Sequence, residues 1–208
     1  MLPEHENPAR TPAQRPSNPA ANLPTVDEDG ASAEVAALYQ RFRRQFGRPD
    51  IPGILRCFAT HPPLLRAMID LASGMLFTNG ALTRRHKEMI AAFVSFRNAC
   101  LYCADSHGYF FREQGGTEAA LCALRENRLA WGEFADAERA LLEFAEKVNE
   151  HSQAIGPADV EAMRRAGWSD LQISETIHTV ALFAAFNRIA NAFGLPSQGL
   201  LADSDLQS

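Results

Sequence analysis

From residue 33 to residue 194 the chain keeps returning to one pattern, in which apolar residues at i, i+3, i+4 and i+7 are bracketed by caps, prolines or glycines. Side chains so spaced share one face of a 3.6-residue helix, and no run alternates with period two for long enough to make a half-buried strand. The chain is therefore expected to be all-α, one bundle of about eight helices. The first carries Val35, Leu38, Tyr39, Phe42 and Phe46, and Gly47, Pro49 and Pro52 end it before a short turn holding Ile54, Leu55 and Phe58. Pro62 and Pro63 suit the first turn of the next helix, where a missing N–H costs nothing. Its buried stripe is expected at Leu64, Leu65, Met68, Leu71, Ala72 and Met75, with Asn79-Gly80 as its stop.

Thr83 is the expected N-cap of a helix running to about Asn98, with Met89, Ile90, Phe93 and Val94 facing the core. Another starts near Cys100 and stops at Gly115-Gly116. Thr117 caps a helix to about Asn127, residues 136–151 form the next, and Pro157 and Gly167 bound a short one. Ser169 and Gln172 make a capping box for a final long helix ending at Gly194-Leu195-Pro196. Six of the twelve prolines fall in the first 24 residues. That stretch is too poor in apolar surface to offset its ordering entropy. Residues 1–28 are accordingly expected to be a flexible arm, 29–200 one helical domain, and 201–208 a flexible tail.

Composition closes off several function classes. The net charge of −5 and the scattered basic residues offer no electrostatic surface for nucleic acid or an anionic membrane. Residues 158–178 mimic a helix-turn-helix, but the second helix begins Ser169-Asp170-Leu171-Gln172 and contains Glu175, the wrong charge for DNA. The start MLPEHENPAR lacks the basic and apolar regions of a secretory signal, and no apolar run reaches the roughly 20 residues that span a bilayer. The expected compartment is the reducing cytoplasm, where the four cysteines are not a structural disulfide framework.

The stretch that carries chemistry is Cys100-Leu101-Tyr102-Cys103-Ala104-Asp105-Ser106-His107, preceded by Glu88. Cys100, Cys103 and His107 stand three and four residues apart, so they stack along one helical stripe with neighbouring Cβ atoms about 5–6 Å apart. The sulfurs can approach disulfide distance, and His107 is one turn from Cys103. A first-turn position and a nearby imidazole are both expected to lower a thiol pKa. If the chain reverses near Asn98-Ala99, Glu88 lies about 16 Å before the turn and His107 about 12 Å after it. At such similar depths Glu88 can orient His107 or share a proton with it.

The spacing Glu-x11-Cys-x2-Cys-x3-His, with an aromatic and a Gly-Gly stop beyond it, resembles the alkylhydroperoxidase-D-like motif of the carboxymuconolactone decarboxylase superfamily. Ile51-Pro52 before a helix and the run from Ala181 to Ala190 resemble its peroxidase-related branch, and the likeness spans roughly residues 34–196. The resemblance implies an alkylhydroperoxidase-D-like helical fold and a thiol peroxidase that reduces hydrogen peroxide or organic hydroperoxides without cofactor or metal. It implies that Cys103 attacks the peroxide, Cys100 resolves the sulfenic acid to a disulfide, and Glu88 and His107 relay protons. An external lipoyl- or thioredoxin-type thiol would reduce the pair again, and the chain would form a homo-oligomer (dimer, trimer or hexamer). Tyr102 stands where some members carry a histidine before the second cysteine.

Other readings of the same residues compete. Carboxymuconolactone-decarboxylase-like chemistry would need acid–base groups acting on carbon and no dithiol; a non-catalytic redox sensor would form the disulfide without turnover. Zinc on Cys100, Cys103 and His107 is disfavoured by their placement on successive turns of one helix, with no fourth ligand at standard spacing. Cys57 and Cys122 are expected to face the core and be inert. His178 is expected to be a satisfied structural histidine, and His61, His86 and His151 to lie at termini or on the surface. Phe183, Phe186 and Phe193 are expected in core or subunit interface. Asn187, Arg188 and Asn191 need polar partners, for which an oligomer interface is one source.

Overall fold

The computed structural model describes residues 21–202 together with Leu206. Nine α-helices and no strand occur among these residues: α1 (Ala33–Phe46), α2 (Gly53–Phe58), α3 (Pro62–Leu71), α4 (Arg84–Arg97), α5 (Leu101–Glu113), α6 (Glu118–Glu126), α7 (Asp136–His151), α8 (Pro157–Arg165) and α9 (Asp170–Phe193). The ninth is α2, six residues expected as a turn. The caps act locally, as their chemistry dictates. Thr83, Thr117 and Ser169 accept from the N–H groups of His86, Ala120 and Gln172, and Gly47 and Gly194 close α1 and α9 at φ 64° and 73°.

The helix α4 is the axis of the bundle, packed by α5, α6, α7 and α9. Every residue from Lys87 to Ser95 is buried, so the single apolar face expected for it is instead a helix enclosed all round. Three of those buried residues are polar, and each must find a partner or forfeit about 1–3 kcal/mol. Lys87 donates to the Met75 and Thr78 carbonyls at 2.6 and 3.0 Å and pairs with Glu175 at 2.6 Å. Glu175 also accepts from the Leu82 N–H. This fastens the 75–82 segment between α4 and α9. Ser95 donates to the Ala91 carbonyl and accepts from Asn187. Glu88 turns toward α5.

The stripe of α3 departs from expectation. After Leu71 the chain makes a π-helical turn, Ala72–Leu76. Across α3 and this turn Leu65, Met68, Ile69, Ala72 and Leu76 are buried. Leu64 is exposed, and Leu71 and Met75 are half-buried. Both chain ends are more engaged than expected where they are described. Residues 1–20 of the expected arm lie outside the described residues. Beyond them Asn22 N–H donates to the Phe193 carbonyl at 2.7 Å, and Val26 N–H to that of Arg56. The Tyr39 hydroxyl donates to the Val26 carbonyl. At the other end the expected tail begins with a fixed residue: Leu201 is buried and its N–H donates to Asp105 at 2.7 Å. Leu206 is buried as well, and the remaining residues from 203 onward lie outside the described set.

Candidate active site

The turn between α4 and α5 sets the site. Cys100 N–H donates to the Ser95 carbonyl and Ala99 N–H to that of Phe96, the paired bonds of a Schellman motif, with Ala99 left-handed at φ 49°. A non-glycine residue there costs about 1–2 kcal/mol. The tight reversal makes α4 and α5 antiparallel neighbours, and Glu88 and His107 meet directly. His107 Nδ1 is 2.6 Å from Glu88 Oε2. The other carboxylate oxygen accepts from Arg84, one turn earlier, at 2.6 Å from Nε and 2.5 Å from the terminal nitrogen. Glu88 is buried, and the Phe183 ring closes edge-on against His107 at 4.5 Å between centroids.

This arrangement assigns the imidazole tautomer. The Glu88 carboxylate can only accept from His107, so Nδ1 carries a hydrogen and Nε2, on the far edge of the ring, is left as the acceptor. The ion pair with Arg84 had a signal in the sequence, because residues four apart on a helix are neighbours.

Cys100 is the N-cap of α5 and Cys103 lies in its first turn, both buried. They share an apolar cluster with Cys57, Tyr102, Ala190 and Leu195. The expected lowering of the Cys103 pKa is reversed. Its hydrogen bond with Cys100 raises it well above the ordinary thiol value, burial raises it further, and a hydrogen bond from Asn187 works in the opposite direction. Removal from water and a sulfur neighbour that competes for one proton outweigh the helix terminus. Burial likewise pushes the Cys57 thiol up to about 11.

The polar partners that Asn187 needs lie inside the chain rather than across a subunit interface. Its amide donates to Ser95 Oγ at 3.0 Å and accepts from Asn98 at 3.0 Å. Asn98 also exchanges hydrogen bonds with Asn149, and Asn191 donates to its carbonyl. These amides join the ends of α4, α7 and α9 and hold the Asn187 side chain against the Cys103 sulfur. Arg188 donates to the Ala184 carbonyl one turn back.

Cys103, Ser106 and His107 form one wall of a cavity of about 450 Å³; Cys100 and Glu88 stand behind that wall. Phe42, Leu55, Leu76, Phe110, Phe183 and Phe186 supply much of the remaining lining, so the two α9 phenylalanines serve both core and cavity. Tyr102 also lines it, with its hydroxyl accepting from the Ile54 N–H at 3.1 Å. Burial raises the phenol pKa, which keeps the O–H protonated and free to donate. Asp105, one turn along from Leu101, faces the other way: it accepts from Ser197 Oγ and from the Gln198 and Leu201 N–H groups. That clamp sets Gln198 at the cavity rim. Gly108 makes room for it, since a Cβ there would come within 2.6 Å of Leu201.

The remaining candidates separate from the site. Cys122 is half-exposed rather than core-facing and donates to Glu126 at 3.3 Å. His178 is on the surface rather than structural, and His86 is half-buried with its ring against Trp168. Among the described residues no group of three or more His, Cys, Asp and Glu gathers as metal ligands, and no helix is long and apolar enough to cross a membrane.

Residues 62–147, from α3 into α7, match the model of the carboxymuconolactone decarboxylase family. A peroxidase-related protein of Ralstonia eutropha JMP134 with an alkylhydroperoxidase AhpD core superposes with a TM-score of 0.78 at 26% identity, over 91% of this chain and 96% of that one. A peroxidase-related protein of Silicibacter sp. TM1040 gives 0.74, also at 26% identity, over 88% and 94% of the two chains. The uncharacterized protein YdfG of Bacillus subtilis (strain 168) is 25% identical over 136 residues, 64% of this chain and 88% of its own length.

Proposed function

The chain is a member of the alkylhydroperoxidase-D-like / carboxymuconolactone decarboxylase superfamily, and from that membership we propose that it is a thiol-dependent peroxidase-like oxidoreductase. Cys103 is the attacking sulfur, because of the two motif cysteines it alone lines the cavity. A thiol held above its ordinary pKa is a poor standing nucleophile, so its proton must leave as the attack proceeds. His107 Nε2 takes that proton, Glu88 steadies the imidazolium through Nδ1, and the Asn187 amide donates to the forming thiolate.

The sulfur then attacks one peroxide oxygen. The O–O bond breaks, Cys103 becomes a sulfenic acid, and the departing alkoxide or hydroxide receives the proton from His107, leaving as an alcohol or water. Cys100 displaces hydroxide from the sulfenic sulfur, releasing water and closing a Cys100–Cys103 disulfide. An external dithiol of lipoyl or thioredoxin type supplies two electrons and two protons to reopen it. We place the protein in the reducing cytoplasm as a homo-oligomer; exposed Leu171 and Ile177 on α9 are apolar surface suited to a subunit contact.

The observation that carries this reading is the 2.6 Å contact between Glu88 and His107 behind a cavity wall that also presents Cys103. Cys103→Ser should abolish peroxide consumption with a dithiol reductant, and Cys100→Ser should accumulate a sulfenic acid at Cys103, detected by mass spectrometry after one equivalent of peroxide. An unmodified Cys103 in Cys100→Ser would overturn the assignment. Lactone decarboxylation surviving in a Cys100→Ser/Cys103→Ser protein would place the acid–base pair on carbon chemistry instead.

A further inference from the structure

Hydrogen peroxide needs no cavity of about 450 Å³. An apolar cavity of about 150 Å³ already accommodates benzene. The lining is also electrically one-sided: among the described residues Arg48 and Arg84 contribute to it, and no Asp or Glu does. The charge of Arg84 is taken up by Glu88 at 2.5 Å. Arg48 has no carboxylate within ion-pair distance among the described residues, and its guanidinium carbon lies 5.7 Å from the centroid of the Phe110 ring. Arg84 approaches the same ring at 5.8 Å.

The position of Arg48 is built, not incidental. Gly47 ends α1 in the left-handed region, and Arg43 Nε donates to the Pro49 carbonyl at 2.7 Å, holding the loop that carries Arg48 over the opening. Exposed Gln45 and Gln198 stand at the same rim, whereas Phe42, Leu55 and Phe186 lie deeper and are buried. A half-buried guanidinium beside apolar walls attracts an anion more strongly than one in open water, because the low-dielectric surroundings screen it less.

We propose that the cavity accepts an organic substrate joining one carboxylate to an apolar body, with Arg48 selecting the carboxylate at the rim while the body reaches toward Cys103. This rests on, and deepens, the peroxidase reading: the substrate is a carboxylate-bearing organic hydroperoxide. The shared chemistry is that of fatty acids and alkyl-substituted aryl acids, and the two are told apart by which probe binds.

The test first uses acids that cannot react. The full chain is titrated by calorimetry with 4-isopropylbenzoate, with decanoate, and with the neutral amide of each. At least one acid should bind about tenfold or more tighter than its amide, the effect expected of one charge-assisted contact. Arg48→Gln should bring acid and amide to within about threefold with amide binding unchanged, and Arg48→Lys should keep part of the preference. Added salt should weaken only the acid. Equal binding of acid and amide to the natural chain, or an acid preference that survives Arg48→Gln, overturns the proposal.

A second arm compares kcat/KM for cumene hydroperoxide with that of its 4-carboxy derivative, expected to favour the acid by about tenfold in the natural chain and not in Arg48→Gln. If neither is consumed while the Arg48-dependent acid preference persists, the peroxidase reading falls and acid recognition by this cavity stands.

Discussion

The substitution Glu88→Gln removes one charge, keeps the side chain's shape, and tests what that charge does to His107. Each Glu88 oxygen serves a different partner, Arg84 on one side and His107 Nδ1 on the other. The amide introduced by Glu88→Gln would retain a single acceptor oxygen. The guanidinium has no acceptor capacity, so that oxygen must stay with Arg84, and the amide N–H₂ must face the imidazole. His107 can answer by moving its hydrogen to Nε2 and accepting at Nδ1. The network is then satisfied again, and the fold survives. What is lost is the charge assistance, about 1.5–3 kcal/mol for a carboxylate that is 2% exposed between two donors. For a chain of this size that lowers Tm by about 3–12 °C. The wrong tautomer leaves no acceptor at Nε2, and the peroxide-dependent rate should fall by about 10²- to 10⁴-fold. The assay combines thermal unfolding, ¹⁵N chemical shifts of the His107 ring, and stopped-flow oxidation of Cys103. A ring that stays protonated at Nδ1 in the variant, or a rate within about threefold of the natural protein, would refute the claim that Glu88 sets the tautomer.

Two further outcomes follow from the backbone and from the buried thiols. Ala99→Gly should relieve the left-handed strain at φ 49° and, after the entropy glycine adds to the unfolded chain, raise stability by about 0.5–1 kcal/mol in a urea titration; a loss would mean that the Ala99 methyl contributes more than its strain costs. The Cys57 thiol ordinarily titrates at 9.0 and is pushed up to about 11 in the fold. Between those values the unfolded chain surrenders a proton that the folded chain keeps, so this contribution is complete below about pH 9 and is lost as pH rises toward about 11. At about 1.4 kcal/mol per unit the loss is about 2–3 kcal/mol. Cys57→Val should show a correspondingly smaller fall in urea midpoint between about pH 8 and about pH 10.5, and an equal fall in both proteins would contradict the assignment.

The parts of the molecule that were legible in the residues are those decided within one or two helical turns. Helix ends are of this kind: Thr83, Thr117 and Ser169 each need only an N–H three residues on, and Gly47 and Gly194 need only their own freedom at positive φ. The all-helical class follows from apolar spacing for the same reason. The motif from Glu88 to His107 was readable because its members lie on two consecutive helices joined by one tight turn, and 1.5 Å per residue sets their depth. Even there the rotation of each helix was open, and packing alone brought Nδ1 and the carboxylate together.

Elsewhere a local reading had nothing to act on. Which residues of the third helix and the following π-helical turn are buried depends on what packs against them: Leu64 is exposed and Met75 half-buried, whereas Ile69 and Leu76 are sealed. The sign of the Cys103 shift depends on how completely water is excluded and on where the neighbouring sulfur sits, and neither is a property of helical position.

By itself the sequence determined most of the helix ends, though not the short α2 or the end of α3, that the chain is all-α, and which four residues match the family's motif, since these depend on neighbours a few bonds or a turn apart. Only the tertiary structure decided that Asn187 reaches Ser95, 92 residues away, and leans on a sulfur, that Arg48 lines the same cavity as Cys103, and that Cys103 rather than Cys100 opens onto it. Those outcomes come from segments distant along the chain meeting in a space without water, where a polar group's neighbours, more than its position in its own helix, set its energy.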